Sequence, residues 1–261
     1  MSEQKIDFVR QDGLARIVFD DAAAHNVIGS AFTRELAAAA MACEGDPDLR
    51  LVLITANGAD FSVGGDLNEF LHERARLEAH VREMATWFHL AITILNRLAV
   101  PVVCAVNGTA AGGGVSLALM SDLAIAKRSA RFNLAYTRSG LTPDGGATWF
   151  LPRLVGAQRA FDLMALNPTL SADEAAACGL IARAVDDAMF EDEVERVVAQ
   201  LLAAPAGAVG RAKALLRQSL VNGLETQLEL ESRAIAAQLG RAETVAALEA
   251  FFAARRKSRA P

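Results

Sequence analysis

The stretch "NGTAAGGGVSLALMSD", residues 107–122, follows the apolar run "VPVVCAV" and decides how the rest of the chain is read. Consecutive glycines at 112, 113 and 114 are costly inside a helix or strand, because glycine loses the most backbone freedom on ordering. They are read as a turn between a buried strand ending near Val106 and the apolar helix "GVSLALM". A second stretch shares this design: "LVLITA" runs through "NGADFSVGGDLNEF" into a helix, again with glycines at the helix start. Such a turn aims unpaired backbone N–H groups at one spot, and the helix dipole adds positive potential there. Two turns of this kind either hold a developing oxyanion close to the backbone or let a helix cross a strand tightly. Spacing alone leaves both readings open.

Around these turns, short apolar runs alternate with helical patterns. "KIDFVRQDGLARIVFD" (5–20) alternates in polarity about Asp12-Gly13 and predicts a β-hairpin. "SAFTRELAAAAMACEGD" (30–46) predicts an amphipathic helix, with Ser30 as N-cap and Gly45 as stop. Residues 49–58 predict a buried strand, and 66–99 two helices or one with a break. "SDLAIAKRSARFNLAY" predicts two short strands, and "ARAV" a last one. Between them, "SADEAAACGLI" carries the Ser171–Glu174 spacing of a capping box, with Gly179 as its stop. From Asp187 the pattern is helical over 187–203, 207–222, 224–239 and 241–256. The expected fold is α/β: strand-strand-helix units over 1–186, then a helical region over 187–261. That region must bury its apolar faces on its own core or on another subunit.

Composition narrows the function classes. A chain of 261 residues forms one large domain, or a domain with an appendage. With 52% hydrophobic and 22% charged residues, it has the composition of a soluble globular protein. No apolar run reaches about 18 residues, so no transmembrane helix is expected. The polar start "MSEQKIDFVRQDG" gives no secretory signal. Cys43, Cys104 and Cys178 are odd in number and form no CxxC pair, so reduced thiols and a cytoplasmic location are expected. A net charge of -5 gives no nucleic-acid footprint, and "RRKSR" near the C-terminus reads as a solvated tail. GxxxxGK[ST], GxGxxG and GxSxG are all absent from the sequence. His72-Glu73 has no second histidine at metalloprotease spacing, and His72, His80 and His89 fall on different helical faces, so no metal site is expected.

At the glycine turns the sequence resembles a known family. "FSVGGDLNEF", "PVVCAVNGTAAGGGVSLALMSDLAIA", "ARFNLAYTRSGLTPDGGATWFLPRLVGAQRAFDLM" and "LSADEAAACGLIARAV" match, in order and spacing, segments of the crotonase (enoyl-CoA hydratase/isomerase) superfamily. The resemblance runs from about residue 5 to the end of the chain. It implies a crotonase-like spiral of ββα units, with the C-terminal helices serving trimerisation and active-site cover. It also implies a homotrimer or dimer of trimers, an acyl-CoA substrate, and no cofactor beyond that thioester. By the same resemblance, the N–H groups of Gly65 and Gly113 hold the thioester carbonyl. CoA would run along His25, Ser62, Val63, Asp66 and Leu67, while Phe252 with Lys257 or Arg255 reaches it from a neighbouring subunit. Trp87, Ser116, Leu141 and Trp149 would line the acyl pocket.

The chain departs from the family at the hydratase residues. Hydratases of the family place two glutamates around a water; the matching positions here are Ser116 and Tyr136, the only tyrosine of the chain. A serine does not act as a general base near neutral pH without a partner. Asp144, in "GLTPDGGATWF", matches a catalytic aspartate of other branches. On residue type alone it equally suits a helix N-cap. The resemblance then implies an isomerase, Asp144 moving a proton within an unsaturated acyl-CoA or opening a ring-epoxide aromatic one. The rival is a 4-chlorobenzoyl-CoA-dehalogenase-like hydrolase, with Asp144 as nucleophile and His89 beside it; that enzyme has tryptophan where Tyr136 stands. A hydratase with atypical residues and a non-catalytic acyl-CoA-binding protein complete the alternatives, since a fold does not fix a function.

Overall fold

The computed structural model describes residues 4–257, apart from the side chains at 206, 243, 254 and 257. The expected Lys257 contact therefore lies outside the described residues. The hairpin forms where polarity alternates: β1 (Ile6–Gln11) and β2 (Leu14–Phe19) pair antiparallel, with Ile6 opposite Phe19. From β2 the chain winds as a spiral. Helix α1 (Ser30–Glu44) leads to β3 (Leu51–Ala56), β4 (Asp60–Ser62), α2 (Leu67–His72) and α3 (Leu77–Arg97). The next turn holds β5 (Val102–Val106), β6 (Thr109–Ala111) and α4 (Gly113–Met120). The third holds β7 (Leu123–Lys127), β8 (Arg131–Asn133), α5 (Ala147–Val155) and α6 (Ala157–Leu166). It closes through β9 (Leu170–Ser171), α7 (Ala172–Ala177) and β10 (Arg183–Val185). The longer strands build one sheet in the order β1-β2-β3-β5-β7-β10, and the short ones a second in the order β4-β6-β8-β9. Every pair from β2 to β10 in the first sheet is parallel, which requires a crossover between strands.

The strand period of two sorts the core into two layers. On β3, Val52 and Ile54 join the large core under α1 and α3, while Leu51 and Leu53 face the other way. β5 alternates in the same manner, with Cys104 on one face and Val103 and Ala105 on the other. The second face is covered by α8 (Phe190–Ala203) through Phe190, Val194, Val197 and Val198. The burial of α8 thus belongs to the sheet, although the helix lies beyond residue 186. Helix α4 is apolar all round, and all of its residues are buried, as expected of a helix through the centre of a domain.

One helix start differs from expectation. Ser30 is not the N-cap of α1; Gly29 is, and it offers no capping side chain. The cap comes from another element: the Glu69 carboxylate of α2 accepts the Ser30 N–H at 2.9 Å and the Ser30 hydroxyl as well. His80 of α3, buried in the same corner, places Nε2 3.0 Å from Glu69. The Ser171–Glu174 capping box forms as its spacing predicts.

Beyond α8 come α9 (Ala206–Ser219), α10 (Leu224–Leu239) and α11 (Ala242–Lys257). Helix α9 is fastened to the spiral by charge. Lys213 Nζ lies 2.7 Å from Asp122 Oδ2 and donates to the Val100 carbonyl, while Arg217 reaches Asp122 Oδ1 at 2.8 Å. Asp122 also accepts the Val102 N–H at 2.8 Å. Burial pulls the Lys213 ammonium below its usual range, and Asp122 opposes that shift. Helices α10 and α11 leave Leu224, Leu228, Ile235 and Phe251 exposed.

Removing the anion leaves a buried cation without its partner. Asp122→Ala is expected to cost about 2 to 3 kcal/mol in chemical denaturation, with Lys213→Met in the same background recovering part of the loss.

Candidate active site

The two glycine turns meet because β4 and β6 run parallel, with Ser62 opposite Ala110. The chain leaves both strands at the same edge of the small sheet. Gly64 (φ +90°) stands so close to the neighbouring strand that a Cβ there would lie 2.9 Å from the Ala111 carbonyl oxygen. A Cβ on Gly114 would be driven into the Ser62 carbonyl. The crowding demanded by tight packing is therefore present at both turns.

Pairing geometry turns the Gly65 N–H outward. Ile28 donates its N–H to the Gly64 carbonyl at 2.8 Å and accepts the Asp66 N–H at 3.2 Å. The residue between those two, Gly65, therefore faces away from Ile28. Gly113 opens α4, ahead of the first intrahelical bonds, which run from Val115 and Ser116 back to the Gly112 carbonyl. Among the described residues neither the Gly65 nor the Gly113 N–H has an acceptor. Both glycines line one cavity of about 570 Å³.

Asp144 lines the same cavity. It is not the cap of α5: Gly146 holds that position without a side-chain bond, and only the Asp144 backbone carbonyl receives the Ala147 N–H. The carboxylate is thus available to the cavity. The Tyr136 hydroxyl donates to its Oδ1 at 2.8 Å. Ser116 Oγ lies 3.1 Å from the Tyr136 hydroxyl and donates to the Asp144 carbonyl at 3.1 Å. On the other side, His89 Nε2 is 3.8 Å from Asp144 Oδ2, too far for a hydrogen bond. That nitrogen accepts the Gly145 N–H at 3.1 Å. Burial raises the Tyr136 phenol far above its usual range, and the charge of Asp144 adds to the effect.

The other expected residues sort by position. Val63 and Leu67 line the cavity, and so does Leu141. Asp66 caps α2, accepting the N–H groups of Asn68 and Glu69 at 3.0 Å each. Ser62 is wholly buried, and its hydroxyl accepts the Gly64 N–H. His25 is exposed, with Nδ1 2.7 Å from Asp60 Oδ2. Ser116 is wholly buried against Tyr136 and is not part of the lining of this cavity. Trp87 packs its partly buried ring on the core outside the cavity. Trp149 is also outside, with its ring 4.8 Å from Phe150 and 4.0 Å from the Arg153 guanidinium. Phe252 is exposed on α11 and does not reach the cavity of its own chain.

The apolar wall of the cavity is a stripe of α3, Leu77, Val81, Met84 and Phe88, together with Phe70 of α2. Their spacing of three to four residues is the one-face period of a helix, a signal present in the sequence. Trp87 lies one residue, and so about 100°, away from that face.

The sequence matches the model of the family described as Enoyl-CoA hydratase/isomerase over residues 9–258. A 1,2-epoxyphenylacetyl-CoA isomerase of Escherichia coli is 38% identical over 189 residues, 72% of each chain. A 4-chlorobenzoyl coenzyme A dehalogenase of an Arthrobacter species is 32% identical over 240 residues, covering 92% of this chain and 87% of the relative. Among solved structures, an enoyl-CoA hydratase from a Polaromonas species superposes with a TM-score of 0.89 at 28% identity, covering 95% of this chain and 96% of the other.

Because Tyr136 is the only tyrosine, its ionisation can be followed by absorbance. A phenol whose pKa is raised by folding stabilises fully below its unfolded value, about pH 10, and that contribution is lost as pH rises beyond it. The folded protein is expected to show no phenolate absorbance as pH passes about 10; the band should appear only with unfolding.

Proposed function

The chain belongs to the enoyl-CoA hydratase/isomerase family, and on that premise we propose that this acyl-CoA enzyme is an isomerase with Asp144 as its acid and base. The observation that carries the proposal is the makeup of the site. Asp144 lines the cavity with the two glycine turns and is held by Tyr136, and by the family resemblance a serine and a tyrosine, Ser116 and Tyr136, occupy the places of the hydratase glutamates. In this reading the thioester oxygen rests against the Gly65 and Gly113 N–H groups. Asp144 takes a proton from an acyl carbon, and the C–H electron pair moves into the thioester as an enolate. Negative charge builds on the oxygen between the two donors; one such donor is worth about 3 to 4 kcal/mol in the transition state. The carboxyl then returns its proton to another carbon. The sequence balances in atoms and electrons without a cofactor.

The substrate acyl group is unsaturated or a ring-epoxide aromatic, and it is uncharged where it meets the apolar stripe of α3. CoA runs past Val63 and Leu67, with the free edge of His25 toward its phosphates. The exposed apolar side chains of α10 and α11 support a homotrimer or a dimer of trimers, in which Phe252 and the cation at 255 or 257 reach the CoA of a neighbour. A cytoplasmic location belongs to the same proposal; among the described residues no helix is long and apolar enough to cross a membrane.

Hydrolytic dehalogenation is the second reading, favoured by the approach of His89 to Asp144. There the carboxylate attacks an aryl carbon, halide leaves, and water cleaves the ester. The His89 nitrogen nearest Asp144 already holds the Gly145 N–H, which weighs against its use as the base.

Incubation with a panel of acyl-CoAs in deuterium oxide separates these readings. The isomerase is expected to wash deuterium into an acyl carbon, with loss of about a hundred- to ten-thousand-fold in rate in Asp144→Asn. Halide release with an ester trapped on Asp144 would establish the dehalogenase. Hydration of an enoyl-CoA would establish a hydratase with atypical residues, and binding of CoA thioesters with no turnover would establish a binding protein.

A further inference from the structure

Three close polar contacts join Ser116, Tyr136 and Asp144, but the two hydroxyls supply only two protons. Tyr136 OH is 2.8 Å from Asp144 Oδ1, Ser116 Oγ is 3.1 Å from Tyr136 OH, and Ser116 Oγ is 3.1 Å from the Asp144 carbonyl. With Asp144 ionised, Tyr136 must donate to the carboxylate, and the single Ser116 proton is divided between the phenol oxygen and the carbonyl. With a proton on Oδ1, each contact gains its own: the carboxyl donates to Tyr136, Tyr136 to Ser116, and Ser116 to the Asp144 carbonyl. The ring then begins and ends on one residue. The two hydroxyls are shielded from water, Ser116 at 0% and Tyr136 at 8% exposed, while the Asp144 side chain keeps 40% of its surface open toward the cavity.

We propose that Ser116 is a positioning residue that lets the Tyr136 hydroxyl reverse direction, donating to Asp144 when the carboxylate is ionised and accepting from it when the carboxyl is neutral. The proposal deepens the acid–base reading of Asp144 and rests on it for its use in turnover. A base that must give its proton back needs both of its states satisfied by hydrogen bonds. With the proton on Oδ1, Tyr136 alone has no acceptor for its own hydroxyl proton. Ser116, acting through Tyr136, supplies the acceptor that the neutral one needs. The other groups facing Asp144 are fixed in role: His89 of α3 accepts from Gly145, and Glu78 and Arg82 of α3 line the same cavity.

Opposite signs distinguish this device from simple packing. Without Ser116, the reversed phenol proton has no acceptor, so the neutral carboxyl is disfavoured and the Asp144 midpoint falls. Without Tyr136, the ionised carboxylate loses its charge-assisted donor, and the midpoint rises. A hydrogen bond of ordinary strength corresponds to about half a pH unit to one unit.

The test uses the whole protein with no ligand, carrying carbon-13 at the ring Cζ of tyrosine, which gives one resonance because Tyr136 is the only tyrosine. The Asp144 side-chain carboxyl carbon is labelled in parallel. The tyrosine resonance is expected to shift with pH at the midpoint of the Asp144 carboxyl, and that step should vanish in Asp144→Asn. In Ser116→Ala, and in Ser116→Cys as a second variant of similar bulk, the carboxyl midpoint should fall by about half a unit to one unit. In Tyr136→Phe it should rise by a similar amount. A tyrosine step that persists in Asp144→Asn, or an Asp144 midpoint that moves the same way or not at all in the serine and tyrosine variants, would overturn the proposal. No turnover is measured, so the outcome is independent of the deuterium experiment that tests the isomerase.

Discussion

The parallel pairing of β4 with β6 is the contact on which the site depends. Both strands are only three residues long, yet their shared register delivers two glycine turns to one edge. Gly64 approaches the carbonyl of Ala111, and Gly114 approaches that of Ser62, so the turns are locked backbone to backbone. A site built this way has its donors set by the main chain. Their aim is fixed before any ligand arrives, which is what electrostatic stabilisation of a developing charge requires. The large sheet contributes indirectly: its parallel order spaces the turns of the spiral, and the wholly buried α4 holds Gly113 in place.

The opposite side of the site follows a different logic. Asp144 stands on a loop, and its orientation comes from side chains rather than from secondary structure. Tyr136 holds one carboxylate oxygen, and Ser116 holds both Tyr136 and the Asp144 backbone. The other oxygen is left toward the cavity, with His89 too distant to take it. Rigid donors therefore face a reagent whose surroundings are polar and adjustable.

Much of the fold was legible in the chain because its signals are local. Polarity alternation marks the hairpin, short apolar runs ending in glycine mark the strands of the spiral, and Ser171 with Glu174 marks a helix start. What could not be read depends on partners far away in sequence. Ser30 looks like an N-cap, but the group that caps α1 is Glu69, 39 residues later. Asp144 looks like a cap because its competing partners, Tyr136 eight residues earlier on the same loop and Ser116 on α4, are brought to it only by the fold. Trp87 and Trp149, which the resemblance places in the pocket, lie outside the cavity lining. The helical period of Leu77, Val81, Met84 and Phe88 was the better guide, because direction on a helix is set by spacing.

The stripe on α3 has a consequence for how such a protein diversifies. The residues that would meet the acyl group sit on α2 and α3, whereas the donors and the carboxylate sit on the small sheet, α4 and the loop before α5. The two sets share a cavity and adjoin in the chain at two points, where Gly65 leads into α2 and where Leu141 shares the loop of Asp144. Glu69 and His80 tie the α2–α3 wall to α1 from outside the cavity, so Met84 or Phe70 can change without loosening that tie. Mutation can thus redraw which acyl groups fit while the reactive half is inherited intact, and a lineage can explore new substrates before it alters any chemistry.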